Sequence, residues 1–205
     1  MPASEAISTA SSTRSPMRVY AVAALAIILC GAVALSLMGR PLICSCGYVK
    51  FWEGEVFSAG NSQHVTDWYT FTHVSHGFLF YFLIWLCMKL IQTRFSIAKA
   101  FVAAVAIETV WEVLENTNFI IDRYRAATPA FGYYGDSVLN SVSDIAAMAV
   151  GFALAATLPV WLIVGAAALM EIGLAVLIRD NLSLNLIMLL YPLDAIRDWQ
   201  QSTFK

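Results

Sequence analysis

The sequence predicts an all-α protein: a polytopic bundle of about five transmembrane helices with a short interfacial or re-entrant helix at its C-terminal end. Three observations carry that prediction. Of 205 residues, 60% are apolar and 13% charged, against about 25% charged in an ordinary soluble domain. Several apolar runs approach the roughly 20 residues that cross about 30 Å of hydrocarbon. Polar side chains inside those runs recur three and four residues apart, the spacing of one helix face. The 12 basic and 14 acidic side chains are too few to clothe a soluble chain this apolar. A net charge of −2 offers no phosphate-seeking face, which excludes a nucleic-acid binder. The lipid bilayer is the expected partner.

Residues 1–16 are mostly Ala, Ser, Thr and Pro without a hydrophobic period and read as a disordered tail. The remainder, 17–205, reads as one membrane domain. Its first span, 19–38, follows Arg14 and Arg18. A cleaved signal peptide is the rival reading there, because Ala32-Val33-Ala34 fits a cleavage pattern, but the apolar run outlasts most signal sequences. The second span, 68–88, opens on Trp68 and Tyr69 as interfacial aromatics and ends at Lys89. The third covers 99–121 and the fourth 136–158. Pro159 stops the fourth and a tight turn leads into the fifth, 160–178. The run from Leu182 to Tyr191 is too short to cross alone, so 182–200 is expected at the interface. Basic residues near the span ends are evenly split. The first helix and the short basic loop after the second tip the N-terminus to the cytoplasmic side.

All the histidines lie between His64 and His76. His73 and His76 share a face of the second span. Glu108, Glu112 and Glu115 share a face of the third, and Asp136, Asn140 and Asp144 a face of the fourth. These faces start or end on the same side of the bilayer. His76, Glu112 and Asp144 fall about 12 Å below that interface, with His73, Glu115 and Asn140 about 8 Å below it. Glu171 of the fifth span lies in the same half. A lone carboxylate at such depth costs roughly 3 kcal/mol on insertion scales. The group must therefore be protonated, paired, hydrated or bound to a cation. No span interior holds Lys or Arg, so acid outnumbers base.

That imbalance points to a divalent metal, zinc or iron, held by His73, His76, Glu112 and Asp144. Glu108 or Glu115 is the candidate general base. Arg123 and Arg125, with Asp136 and Asn140, are candidates to hold the head group of a lipid-linked or amphiphilic substrate. The pattern lacks the H-E-x-x-H of zinc peptidases. Two other readings stand beside the enzyme. One is a scaffold or assembly protein whose polar groups only lock helices together. The other is a proton or ion translocator, weakened by the apolar opposite halves of the spans. Cys44-Ser45-Cys46 reads as a disulfide or free thiols, and Cys30 and Cys87 as packing residues. Gly135-Asp136-Ser137 has the opening of a lipase motif without the downstream histidine that chemistry needs. The stretch from Arg40 to Asp67, about 28 residues, is too long for a bare connection and is expected as a lid outside the cytoplasm.

Several longer motifs carry a resemblance. Gly39-Arg40-Pro41, Cys44-Ser45-Cys46-Gly47, Asn61-Ser62-Gln63-His64, Asp67-Trp68-Tyr69-Thr70 and Trp111-Glu112-Val113-Leu114-Glu115-Asn116-Thr117 are similar to the uncharacterised bacterial membrane family numbered 0314. So are Arg123-Tyr124-Arg125, Gly135-Asp136-Ser137 with Asn140-Ser141, and Ile178-Arg179-Asp180-Asn181-Leu182. The resemblance covers about 39–200. It implies a multi-pass protein of the bacterial inner (cell) membrane and brings no activity. A more distant similarity is to VanZ-like membrane proteins, in which an acidic helix precedes an Asp-x-x-x-Asn helix start, here Asp136 and Asn140.

Overall fold

A computed structural model describes residues 14–129 and 132–202. The tail expected over 1–16 lies outside the described residues as far as residue 13, and α1 begins at Arg14 (Arg14–Leu37). The further helices are α2 (Thr70–Leu90), α3 (Ile97–Glu115), α4 (Asn118–Ala127), α5 (Val138–Thr157), α6 (Val160–Leu177), α7 (Leu182–Leu190) and α8 (Asp194–Gln201). Four are long and apolar enough to cross a membrane: Met17–Leu37 within α1, then α2, α5 and α6. At 19 residues α3 is of similar length, but Lys99, Glu108, Glu112 and Glu115 interrupt its apolar surface. It packs against α1, α2 and α5.

The third span ends earlier than its apolar pattern predicts. Helix α3 stops at Glu115, and Thr117 starts a new helix by accepting the backbone N–H of Ile120 through its hydroxyl. The continuation as far as Ile121 belongs to α4, whose Asp122, Arg123 and Arg125 make it no span. Helix α7 has nine residues, roughly 14 Å of length, and so cannot cross. It packs on α4.

The densest contact joins α2 and α5, which run parallel. Two glycines make it possible. A Cβ on Gly77 would meet the Met148 carbonyl at 2.2 Å, and one on Gly151 would meet the Val74 carbonyl at 2.0 Å. Backbone touches backbone there, as small residues permit in membrane bundles. Beyond this crossing, away from the histidines, Ala24, Ala100, Ala104, Val105, Ile145, Met148 and Phe152 form an apolar core. Helix α6 lies at the periphery with only Leu174 buried.

The segment between α1 and α2 is built rather than loose. A short parallel pair joins β1 (Trp52–Glu53) to β2 (Thr66–Asp67). Its carbonyls serve the start of α5, whose first N–H groups have no partner within the helix. Pro41 accepts from Val138 N at 2.8 Å, Leu42 from Leu139 N at 3.1 Å and Ser62 from Ser137 N at 3.0 Å. Gln63 donates to the Gly135 carbonyl at 2.7 Å, and Asn140 donates to the His64 carbonyl at 3.0 Å. Asp67 ties the segment to α2 by accepting from Ser62 N and Tyr69 N. Cys44 and Cys46 are joined as a disulfide.

Candidate functional site

The start of α2, the end of α3 and the start of α5 bring the polar faces together, and the centre of the meeting is Glu108. Its Oε1 lies 2.6 Å from Nδ1 of His73, and its Oε2 lies 3.0 Å from Nδ1 of His76. One fully buried carboxylate thus fixes the orientation of two imidazoles on the neighbouring helix. The rings of His73 and His76 meet edge to face at 5.1 Å. On its far side, Nε2 of His73 lies 3.8 Å from Oδ2 of Asp144. Thr70 donates its hydroxyl to the other oxygen of Asp144 at 3.3 Å.

Glu112, one turn along α3, is in a different position. Its Oε1 is 3.4 Å from Nδ1 of His73, near enough for ionic attraction. Both of its oxygens are buried and neither has a hydrogen-bond donor. Most buried polar atoms in a native fold have partners, and the Glu112 carboxylate is an exception to that rule. Within this cluster two sets of residues have ligand atoms within 4.8 Å of one another, His73, His76 and Glu108, and His73, Glu112 and Glu115; a third set, Cys44, Cys46 and His64, lies outside it with its thiols joined as a disulfide.

Above this cluster is a cavity of about 230 Å³. His73, His76, Asn140 and Asp144 line it, together with Glu115, Trp111, Tyr69, Tyr124, Tyr133, Asp136 and Asp180. Val56, Phe57, Ser58, Asn61 and Ser62 of the segment before α2 close over it. Asp136 is held by Asn116, which donates at 2.7 Å, and by the Tyr133 hydroxyl at 3.0 Å. Gly135 precedes it with φ of +98°, and a Cβ there would lie 2.9 Å from Asn116 Oδ1, so the turn admits only glycine. Asp180 accepts from the Tyr69 hydroxyl at 3.0 Å and from Asn181 N at 3.0 Å. Burial lifts its carboxyl to about 6, against the lowering effect of those donors. Beneath the closing segment, Glu53 is held below its ordinary range. Burial raises it, but the Lys50 ammonium at 2.8 Å and Glu55 N win.

His73, His76, Glu108, Glu112 and Asp144 thus form one contact network or line one cavity, and Glu115, Asp136 and Asn140 line the same cavity. The arginines stand apart. Arg123 donates to the carbonyls of Leu189 and Leu190, Arg125 is exposed, and neither faces the cavity. Glu171 is spent on α7, where its carboxylate accepts from Leu182 N and Ser183 N at 3.1 Å each. Tyr69 lines the cavity rather than serving only as an interfacial aromatic, and Tyr124, Tyr133 and Asp180 line it too, although nothing in the sequence pattern marks them. Their lining position depends on the break after α3 and on the fold-back of α7. The Asn116-Thr117 capping signal was the one trace of either in the sequence.

The model of the family described as "Protein of unknown function (DUF2585)" matches residues 35–202. A UPF0314 protein of Agrobacterium fabrum is 52% identical over 194 residues, covering 95% of each chain. One from Rhizobium etli is 51% identical over 179 residues, covering 87% of this chain and 90% of its own. One from Paracoccus denitrificans is 50% identical over 174 residues, covering 85% and 88%. No solved structure matches. The expected likeness to VanZ-like proteins is not shown by these matches.

Proposed function

This chain belongs to the DUF2585 family of proteins of unknown function, whose curated relatives carry the name UPF0314, and from that premise we propose a metal-dependent hydrolase of the bacterial inner membrane. Its substrate is amphiphilic, and only the polar end enters the cavity. At about 230 Å³ the space falls below the roughly 300–1,000 Å³ of drug-sized pockets. The N-terminus is cytoplasmic in this reading, by the basic residues flanking the first spans.

The single observation that carries the proposal is Glu112. Its two oxygens have no hydrogen bond to compete for them, and ligand atoms of His73, Glu112 and Glu115 lie close together. Ligand atoms within 4.8 Å of one another suit a divalent ion with bonds of about 2.0–2.2 Å. One imidazole and two carboxylates suit zinc or iron. Glu108 is the poorer ligand because both of its oxygens already hold histidines. The metal would supply Lewis acidity to the bond being broken.

The chain's own residues do the rest. Asp144 lies 3.8 Å from Nε2 of His73 and supplies a neighbouring carboxyl group on that side of the ring. Glu108 holds His76 at Nδ1, which leaves Nε2 for proton transfer. His76 takes a proton from the attacking water and returns it to the leaving group, while the water oxygen bonds to the electrophilic atom as the leaving-group bond breaks. In this arrangement Glu115 is a ligand rather than a base, and Glu108 is a positioning residue.

Elemental analysis of detergent-purified protein tests the reading. Roughly one zinc or iron per chain is expected, with at least a roughly tenfold loss of affinity in Glu112→Gln. The variant should keep its thermal stability in the metal-free state, since Glu112 has no hydrogen bond to lose. Wild-type protein that is metal-free after mild purification, and whose melting ignores added zinc or iron, overturns the metal site. A purely structural network is favoured by one observation, the complete pairing of Glu108, and that same result would hand the cluster to it.

A further inference from the structure

We propose that the group admitted to the cavity carries an ammonium charge. The inference rests on the reading of the cavity as a ligand site and adds the chemical class of the ligand.

The wall is aromatic: Phe57, Tyr69, Trp111, Tyr124, Tyr133 and Tyr134 all face the space. Between them stand the carboxylates of Glu115, Asp136, Asp144 and Asp180. Among the described residues that line the cavity there is no lysine or arginine. The arginines next in sequence to lining residues are placed elsewhere: Arg123 donates to the carbonyls at the end of α7, Arg125 is exposed, and Arg179 donates to the Trp199 carbonyl and to Ser202. An anionic head group would therefore find no lysine or arginine on the wall, and positive charge would meet it only at His73 and His76 and at the metal proposed beside them. A cation would find ring faces and carboxyl oxygens together, the combination that recognises alkylated ammonium groups.

The hydrogen bonds of the tyrosines reinforce this. Tyr69 gives its hydroxyl proton to Asp180 and Tyr133 gives its own to Asp136, at 3.0 Å each. Tyr124 gives its proton to Asn185 at 2.6 Å. A phenol that donates to a carboxylate has a more electron-rich ring, which strengthens attraction to a cation over its face. Tyr124 and Tyr133 stand edge to face at 6.1 Å and form a corner. An apolar cation surface fits such a corner better than a hydrated metal ion does. Because the ammonium group sits among the aromatic rings, its recognition does not require Glu112.

Two sources share this chemistry, an ammonium-bearing lipid head group and a free soluble amine. Calorimetric titration of the full chain in a maltoside detergent, near neutral pH, separates them. Choline is expected to bind roughly tenfold more tightly than neohexyl alcohol, its uncharged carbon isostere. Asp180→Asn, which keeps an oxygen for Asn181 N, should weaken choline roughly fivefold or more while leaving the alcohol unchanged. Tighter binding of lysophosphatidylcholine than of choline assigns the lipid source, and equal or weaker binding assigns the free amine. Equal binding of choline and neohexyl alcohol by wild-type protein overturns the proposal, as does preferential binding of inorganic phosphate. Repeating the choline titration with Glu112→Gln distinguishes the two claims. Binding that survives in that variant stands even where the metal reading has failed.

Discussion

Glu108 and Glu112 sit one turn apart on α3 and differ in everything but residue type. Glu108 spends its oxygens on His73 and His76, while Glu112 has none of its own hydrogen bonds. Their substitutions should therefore diverge. Glu108→Ala leaves the Nδ1–H of His76, and in metal-free protein that of His73 as well, without an acceptor, at about 1–3 kcal/mol each. A marked drop in melting temperature is expected, with or without metal, and unchanged melting would remove Glu108 from the centre of the site. Asp180 offers a test against pH. Its folded-state value of about 6 lies above the ordinary 3.8. The folded chain therefore keeps a proton that the unfolded chain releases. The stabilisation is full below about pH 4 and is lost as pH rises through about 6, an effect of roughly 2–3 kcal/mol. Asp180→Asn cannot titrate, and its melting temperature should gain on wild type from pH 4 to pH 7. Parallel curves would show that Asp180 keeps its ordinary pKa.

At the scale of elements, the register of α2 against α5 sets the distances in the site, and Gly77 with Gly151 set that register. An added methyl would strike backbone, which cannot swing aside as a side chain can. Gly77→Ala or Gly151→Ala should cost about 3 kcal/mol or more, at the upper end for overpacked sites. Gly165→Ala on α6, with open space around it, should melt like wild type and serves as the control. Ordinary melting of the two crossing variants would mean the helices are further apart than described. The helices themselves were legible, because 3.6-residue periodicity and span length are local properties. The layering expected within the site was not: Glu112 and Asp144 neighbour His73, while His76 pairs with Glu108. The end of α3 was legible only in part. An apolar pattern runs on through Phe119 to Ile121, and only the capping of Ile120 by Thr117 interrupts it.

At the scale of the whole molecule, the cavity is a joint product of distant segments. The closing stretch before α2, the turn before α5 and the fold-back of α7 each contribute wall residues. None announces this in sequence, because Asp180 and Tyr69 are 111 positions apart and meet only through tertiary packing. The docking of the closing stretch predicts a further result. Ser137→Ala removes the hydroxyl that donates to the Gln63 carbonyl at 3.1 Å and accepts from Asn140 N. A lost helix cap costs about 1 kcal/mol, and amide exchange should rise in 60–67 as well as at the start of α5. Faster exchange confined to α5 would show that the stretch is held without that hydroxyl. The acidic face of α3 also bears on how the chain enters the bilayer in the first place. Each buried carboxylate opposes partition by roughly 2.5–3.5 kcal/mol when a helix is presented alone. Helix α3 is thus a poor autonomous passenger through the translocon, whereas α2, synthesised just before it, carries the imidazoles that Glu108 needs. The two should leave the lateral gate as a preassembled hairpin. A glycosylation reporter fused after α3 should register a crossing when α2 precedes it and none when α3 is offered by itself.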